Sequence, residues 1–163
     1  MINMTRIIFF RHLSYTWDNG KHMVKYDDFK TMAVLGQTLN IDVIVHSPRM
    51  CDKITASALA QGCGCNLLAC DERLRGSYHL PPSRFIEDLT RNAIANHCDT
   101  IAVIAGREPL ELLNCPPLQH GEFYIRRETP VSNLALSRGS IADFRNLSQF
   151  DIRPAADIIN YLY

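Results

Sequence analysis

With 163 residues, 47% apolar and 21% charged, the chain has the make-up of a single globular domain over residues 1–163 and not of a disordered segment. Seventeen basic residues balance 17 acidic ones, which speaks against nucleic acid as a partner. No run approaches the ~18 apolar residues of a membrane helix, and the first ten residues lack a signal peptide's apolar stretch. The expectation is a cytoplasmic protein with no membrane partner.

Taken in chain order, residues 6–10 form a short apolar run rich in β-branched and aromatic side chains, the pattern of a buried strand. The run leads directly into Arg11-His12, and Asn19-Gly20 marks a loop beyond them. Apolar positions at helical spacing predict a helix over 28–39, and 41–45 reads as a second buried strand. Ser47-Pro48 has the form of a helix start, serine as cap and proline at the first helical position. That helix is expected to run to residue 61, ended by Gly62 and Gly64. Residues 66–70 are a third strand candidate, and Pro81-Pro82-Ser83 opens a helix lasting to residue 96. Residues 100–105 are the clearest buried strand, followed by Gly106 and a short helix over 110–113. From Gly121 the texture turns strand-like, over 122–126 and 134–144, and the last ten residues read as a short helix at the edge.

Strands alternating with helices imply βαβ units in a three-layer α/β/α architecture with a mostly parallel central sheet. In such folds ligands bind at the carboxyl ends of the strands. Two candidate sites follow, Arg11-His12 and Gly106-Arg107-Glu108. Arginine offers a permanent charge and a planar fork matched to phosphate oxygens. Histidine offers a nucleophile when neutral and an acid or base otherwise.

The six cysteines, in a chain without an export signal, read as reduced thiols. Cys63-Gly64-Cys65 with Cys70 lacks the paired two-residue spacings of structural zinc. No dinucleotide or phosphate-cradling glycine loop is present. His22, His46, His97 and His120 read as ordinary loop or element-end residues. Tyr15 and Trp17 follow His12 closely enough to wall a pocket there, although packing is their plainer role.

The order of these segments resembles that of the histidine phosphatase (phosphoglycerate mutase-like) superfamily. Ile8-Phe9-Phe10-Arg11-His12 is similar to its opening strand, and Val43-Ile44-Val45-His46-Ser47-Pro48 with Thr55-Ala56 to its second strand and following helix. Asp71-Glu72-Arg73-Leu74 and 100–109 are similar to later segments, so the likeness covers roughly residues 6–113. The length suits the short phosphohistidine phosphatases. The resemblance implies a phosphoglycerate mutase-like fold, His12 as a nucleophile toward phosphorus and Arg11 as a phosphate-binding arginine. It implies neither cofactor nor metal.

The chain departs from that pattern after His12. Leu13 stands where the family has glycine, a residue suited to close approach or unusual backbone. The second arginine falls at Cys51, with Arg49 close enough to the helix start to fold back toward the pocket. Cys51 is either a thiol activated by a positive pocket or an inert, half-buried one. The second histidine falls at Gly106 by direct count, or at Arg107 when Gly106 and Pro109 are matched to the family's glycine and proline. Arg107 is the preferred match, keeping a positive group toward phosphate. The acid that protonates the leaving group falls near Gly76, leaving Glu72, Glu108 and His79 as stand-ins.

Three readings follow, in this order. The first is a degenerate histidine-phosphatase-like protein that binds a phosphorylated small molecule or phosphoprotein with little or no turnover. The second is an active phosphatase using His12 with Arg11, Arg107 and Arg49, and the third a non-catalytic interaction scaffold.

Overall fold

The opening apolar run becomes strand β1 (Thr5–Arg11), set inside a six-stranded sheet of the computed structural model. That structure describes residues 5–76, 84–128, 133–141 and 158–163. Successive β1 side chains point to opposite faces, as pleating requires, and here both faces are covered. Ile8 and Phe10 join a core with Phe29, Met32, Leu35, Ile54 and Leu59. Ile7 and Phe9 join a second core with Phe85, Ala93, Ile101, Val103 and Leu110. The first core is closed by helices α1 (Tyr26–Thr38) and α2 (Met50–Cys63), the second by α3 (Phe85–Ala95) and α4 (Arg107–Leu112). The result is a three-layer α/β/α sandwich, which explains why the strands read as continuous apolar runs.

A hairpin of β2 (Tyr15–Asp18) and β3 (Lys21–Val24) follows β1. The other sheet strands are β4 (Val43–His46), β5 (Leu68–Cys70), β6 (Thr100–Ala105), β7 (Glu122–Glu128) and β8 (Asn133–Ser140). The order is β5-β4-β6-β1-β7-β8. The first four strands are mutually parallel; β7 runs antiparallel to β1, and β8 to β7. In this register Arg11 lies beside Ala105, and His46 beside Ile104. Three strands therefore end at one level, and the residues after them, His12, Ser47 and Gly106, share one crest.

Several expectations shift. The segment after His12 is a β-hairpin and not a plain loop; Asn19 and Gly20 both take positive φ, 49° and 77°, as a two-residue hairpin turn demands. Helix α2 starts at Met50, three residues after the expected serine cap, because Arg49 is still extended (φ −69°, ψ 144°). The Ser47 hydroxyl instead accepts the Arg49 N–H at 3.1 Å and donates to the Asp52 carboxylate. Helix α4 starts at Arg107 and not at residue 110. The helix start expected at Pro81-Pro82-Ser83 and the end of the strand expected to reach residue 144 lie outside the described residues. At the carboxyl end a 3-10 turn, Ile159–Tyr161, precedes a bridge between Leu162 and Val24. No helix among the described residues is long and apolar enough to cross a membrane.

Candidate active site

β1 ends by delivering two polar side chains to the crest. The His12 ring is only 3% exposed, and its Nδ1 lies 2.9 Å from the Leu13 carbonyl oxygen. A carbonyl can only accept, so Nδ1 carries the proton and Nε2 keeps its lone pair. Burial, reinforced by His120, Arg49 and Arg11, brings the imidazole down to about 4 against the pull of that carbonyl. His12 is therefore neutral near pH 7, with a basic nitrogen available for attack or ligation.

Leu13 follows without strain. Its φ is not positive and its side chain is fully buried in the first core. Its N–H donates to Thr55 Oγ1 at 2.9 Å, and that hydroxyl donates to the Cys51 carbonyl at 2.8 Å. The chain thus turns its extra side chain at this position into core packing, while Thr55 on α2 holds the backbone beside His12.

Arg49 does fold back. One guanidinium nitrogen donates to the Tyr15 hydroxyl at 3.4 Å, and another lies 3.2 Å from where a Cβ on Gly106 would stand. A bare backbone at position 106 leaves room for this guanidinium. Arg11 donates from Nη1 to the Leu118 carbonyl at 2.8 Å and from Nη2 to His120 Nε2 at 3.3 Å. Burial and the nearby positive charge of Arg107 lower its pKa. Arg107 itself is exposed on the first turn of α4 and pairs with Glu111 at 2.9 Å, so its charge reaches the pocket at the rim.

Of the acid candidates, Glu72 pairs with Arg75 at 2.8 Å on the exposed turn Glu72–Leu74. Glu108 is exposed at the start of α4, and His79 lies outside the described residues. Cys51 is buried completely, and burial with the neighbouring Asp52 pushes its thiol up to about 12. The inert alternative describes it, because desolvation disfavours the thiolate more than Arg49 favours it.

Two residues at the site escaped the sequence reading. The His120 ring centre lies 5.1 Å from that of His12. Gly121 fixes it there: its φ is 76°, and its N–H is shared between the carbonyls of Arg11 and His12, each at 3.2 Å. A Cβ on Gly121 would stand 2.9 Å from Ile141 Cγ1. The only linear signal was the His-Gly pair itself, which marks a turn but not where the turn docks. Asp52 is the other. It is fully buried, and desolvation raises its carboxyl to about 7 despite the Ser47 hydrogen bond.

His12 and Asp52 drive the pH response in opposite directions. From about pH 6.5 down to about pH 4, the unfolded chain binds a proton at His12 that the folded chain refuses, so acidification costs stability. From about pH 4 up to about pH 7, the folded chain holds a proton on Asp52 that the unfolded chain has lost, so raising pH costs stability. Each slope is about 1.4 kcal/mol per pH unit within its window, and in the overlap they offset. Asp52→Asn, which can still accept from Ser47, removes only the second slope. Relative to wild type it should gain about 4 kcal/mol between about pH 4 and about pH 7, read by urea unfolding. Identical pH dependence in the two proteins would exclude a protonated Asp52 in the folded state.

No protein-family model and no curated protein matches the sequence. Solved structures do share its fold. The protein histidine phosphatase SixA complexed with tungstate is 13% identical over 85% of this chain and 99% of that one, with a TM-score of 0.68. A mutant phosphoserine phosphatase from Entamoeba histolytica in complex with phosphoserine is 13% identical over 84% and 98%, with a TM-score of 0.60. A mycobacterial glucosyl-3-phosphoglycerate phosphatase is 12% identical over 76% and 90%, with a TM-score of 0.57. The chain shares the phosphoglycerate mutase-like fold of these structures at 12–13% sequence identity.

Proposed function

We propose that this chain is a cytoplasmic protein that binds the phosphoryl group of a phosphorylated small molecule or phosphoprotein at the carboxyl end of β1, with little or no turnover. The observation that carries the reading is the pair of guanidinium groups at the crest: Arg49 folded back between Tyr15 and Gly106, and Arg11 held against His120, whose ring neighbours the neutral, buried His12. Two permanent charges near one neutral histidine suit a tetrahedral oxyanion, and the exposed Arg107 adds to the field. Low turnover follows from what the crest lacks. Cys51 stands where the resembling family has an arginine, and Gly106 or Arg107 where it has a histidine. Removing one group that stabilises a transferring oxyanion typically costs ~10²–10³ in rate, although such losses do not simply multiply.

A second reading is favoured by the His12 tautomer. Its Nε2 lone pair would attack phosphorus as the bond to the leaving oxygen breaks, that oxygen would take a proton, and water would then cleave the N–P bond. That proton would come from solvent, because the neighbouring His120 ring accepts from Arg11 through Nε2 and is held neutral by burial and that charge.

Trp17 provides the test. It is the only tryptophan in the chain, is exposed, and its ring centre lies 6.4 Å from that of Tyr15, the partner of Arg49. Inorganic phosphate or tungstate should raise the melting temperature and change Trp17 fluorescence with one shared saturation curve. The absence of both responses at millimolar anion would sink the binding reading and leave the scaffold. Hydrolysis of an aryl phosphate or a phosphohistidine peptide is expected to be no faster than with His12→Ala. Turnover that vanishes in His12→Ala would replace the first reading with the second.

A further inference from the structure

We infer that His12, Cys51 and Asp52 form a buried site for a borderline-soft divalent cation, zinc above all, beneath the carboxyl ends of β1 and β4. One donor atom from each of the three lies within 4.8 Å of the others, all three side chains are buried, and no other group of three such residues gathers in this way among the described residues. Around a tetrahedral zinc such donors sit about 3.5 Å apart. Nitrogen, sulfur and oxygen together are a donor set that zinc accepts readily, and three protein ligands leave a fourth position for water.

Asp52 supplies an independent reason. One of its oxygens takes the Ser47 hydroxyl, while Oδ1 is buried and has no hydrogen-bond partner. A buried carboxyl oxygen is seldom left without a partner, and a cation that replaces the carboxyl proton supplies one. The surrounding hydrogen bonds also have the form that metal ligands need. A ligating histidine characteristically donates its other ring N–H to a carbonyl or carboxylate, and a ligating carboxylate is itself hydrogen-bonded. His12 Nδ1 faces the Leu13 carbonyl and Ser47 holds Asp52, so both orienting contacts are built. On binding, the Cys51 thiol and the Asp52 carboxyl release their protons to solvent. Their two negative charges then balance the dication, and Arg11 and Arg49 face a neutral centre.

The site goes beyond phosphate binding and competes with any chemistry at His12. An Nε2 lone pair that holds a metal cannot attack phosphorus, so the loaded protein loses whatever His12-dependent turnover the free protein has.

Cobalt(II), titrated into the full chain in phosphate-free buffer, tests the assignment by spectroscopy and independently of any phosphate site. One equivalent is expected to bind with a thiolate-to-cobalt charge-transfer band and to be displaced by zinc. Cys51→Ser should abolish the band, Asp52→Asn should weaken binding at least about tenfold, and the double variant Cys63→Ser, Cys65→Ser should change neither. No band in folded wild-type protein, or a band that survives Cys51→Ser, overturns the site. Should Cys51→Ser fail to fold, Asp52→Asn carries the decision: undiminished cobalt affinity in that variant overturns it equally.

Discussion

Gly62→Ala is expected to destabilise the chain by about 3 kcal/mol or more, the largest effect among the glycine-to-alanine changes. Gly62 lies in the last turn of α2, and a Cβ there would stand 1.7 Å from the carbonyl oxygen of Ala33 on α1. The obstructing atom is backbone, so no side-chain rotation relieves the clash and the two helices must separate. Gly36 makes the reciprocal approach from α1, where a Cβ would stand 2.6 Å from the Leu59 carbonyl oxygen. Against a typical domain stability of ~5–15 kcal/mol, the loss should appear as a large fall in the urea midpoint. The strain would also reach the site, because α2 carries Cys51, Asp52 and Thr55 at its other end. A variant within about 0.5 kcal/mol of wild type would show that α1 and α2 do not touch here.

The second large effect concerns Arg49. Arg49→Ala is expected to weaken binding of inorganic phosphate by ~10–100-fold, the worth of a charge-assisted hydrogen bond in a partly desolvated pocket. Arg107→Ala should weaken it by less than about threefold, because that guanidinium is exposed and already paired with Glu111. Trp17 fluorescence titrations of the two variants against wild type decide between them. Equal losses would mean that Arg107 leaves Glu111 and reaches the anion. A loss confined to Arg107→Ala would overturn the pocket built around Arg49.

The reading of the chain was most accurate where local pattern and burial coincide. Residues 100–105 were read as a fully buried strand and form β6 with every side chain buried; 6–10 likewise form the body of β1. A strand covered on both faces must be apolar throughout, and that requirement is visible in one dimension. Helix boundaries were less legible. Ser47-Pro48 carries the usual start signals, yet the helix waits for Met50 because Ser47 spends its hydroxyl on Arg49 and Asp52.

At the site, Arg11 and His12 could be placed from the sequence because position at the end of a buried strand already says which way they open. The return of Arg49 was anticipated from its nearness to the helix start. His120 could not be placed. It lies 108 residues from His12 along the chain and reaches it only because Gly121 docks on the carbonyls of Arg11 and His12. Nor could the direction of position 106 be read, since only the folded strand end reveals that its missing side chain makes room for Arg49.

The layered α/β architecture and the strand that carries Arg11 and His12 are written in local sequence, and the family resemblance adds the departures at Leu13, Cys51 and Gly106 or Arg107. Hydrophobic periodicity and residue identity are local properties, and the architecture and that strand depend on nothing else. Packing in three dimensions sets His120 beside His12, turns Arg107 outward to Glu111, and gathers His12, Cys51 and Asp52 into one buried cluster. Those outcomes depend on where side chains from separate elements converge, which is set by packing between layers and by single backbone hydrogen bonds across more than a hundred residues.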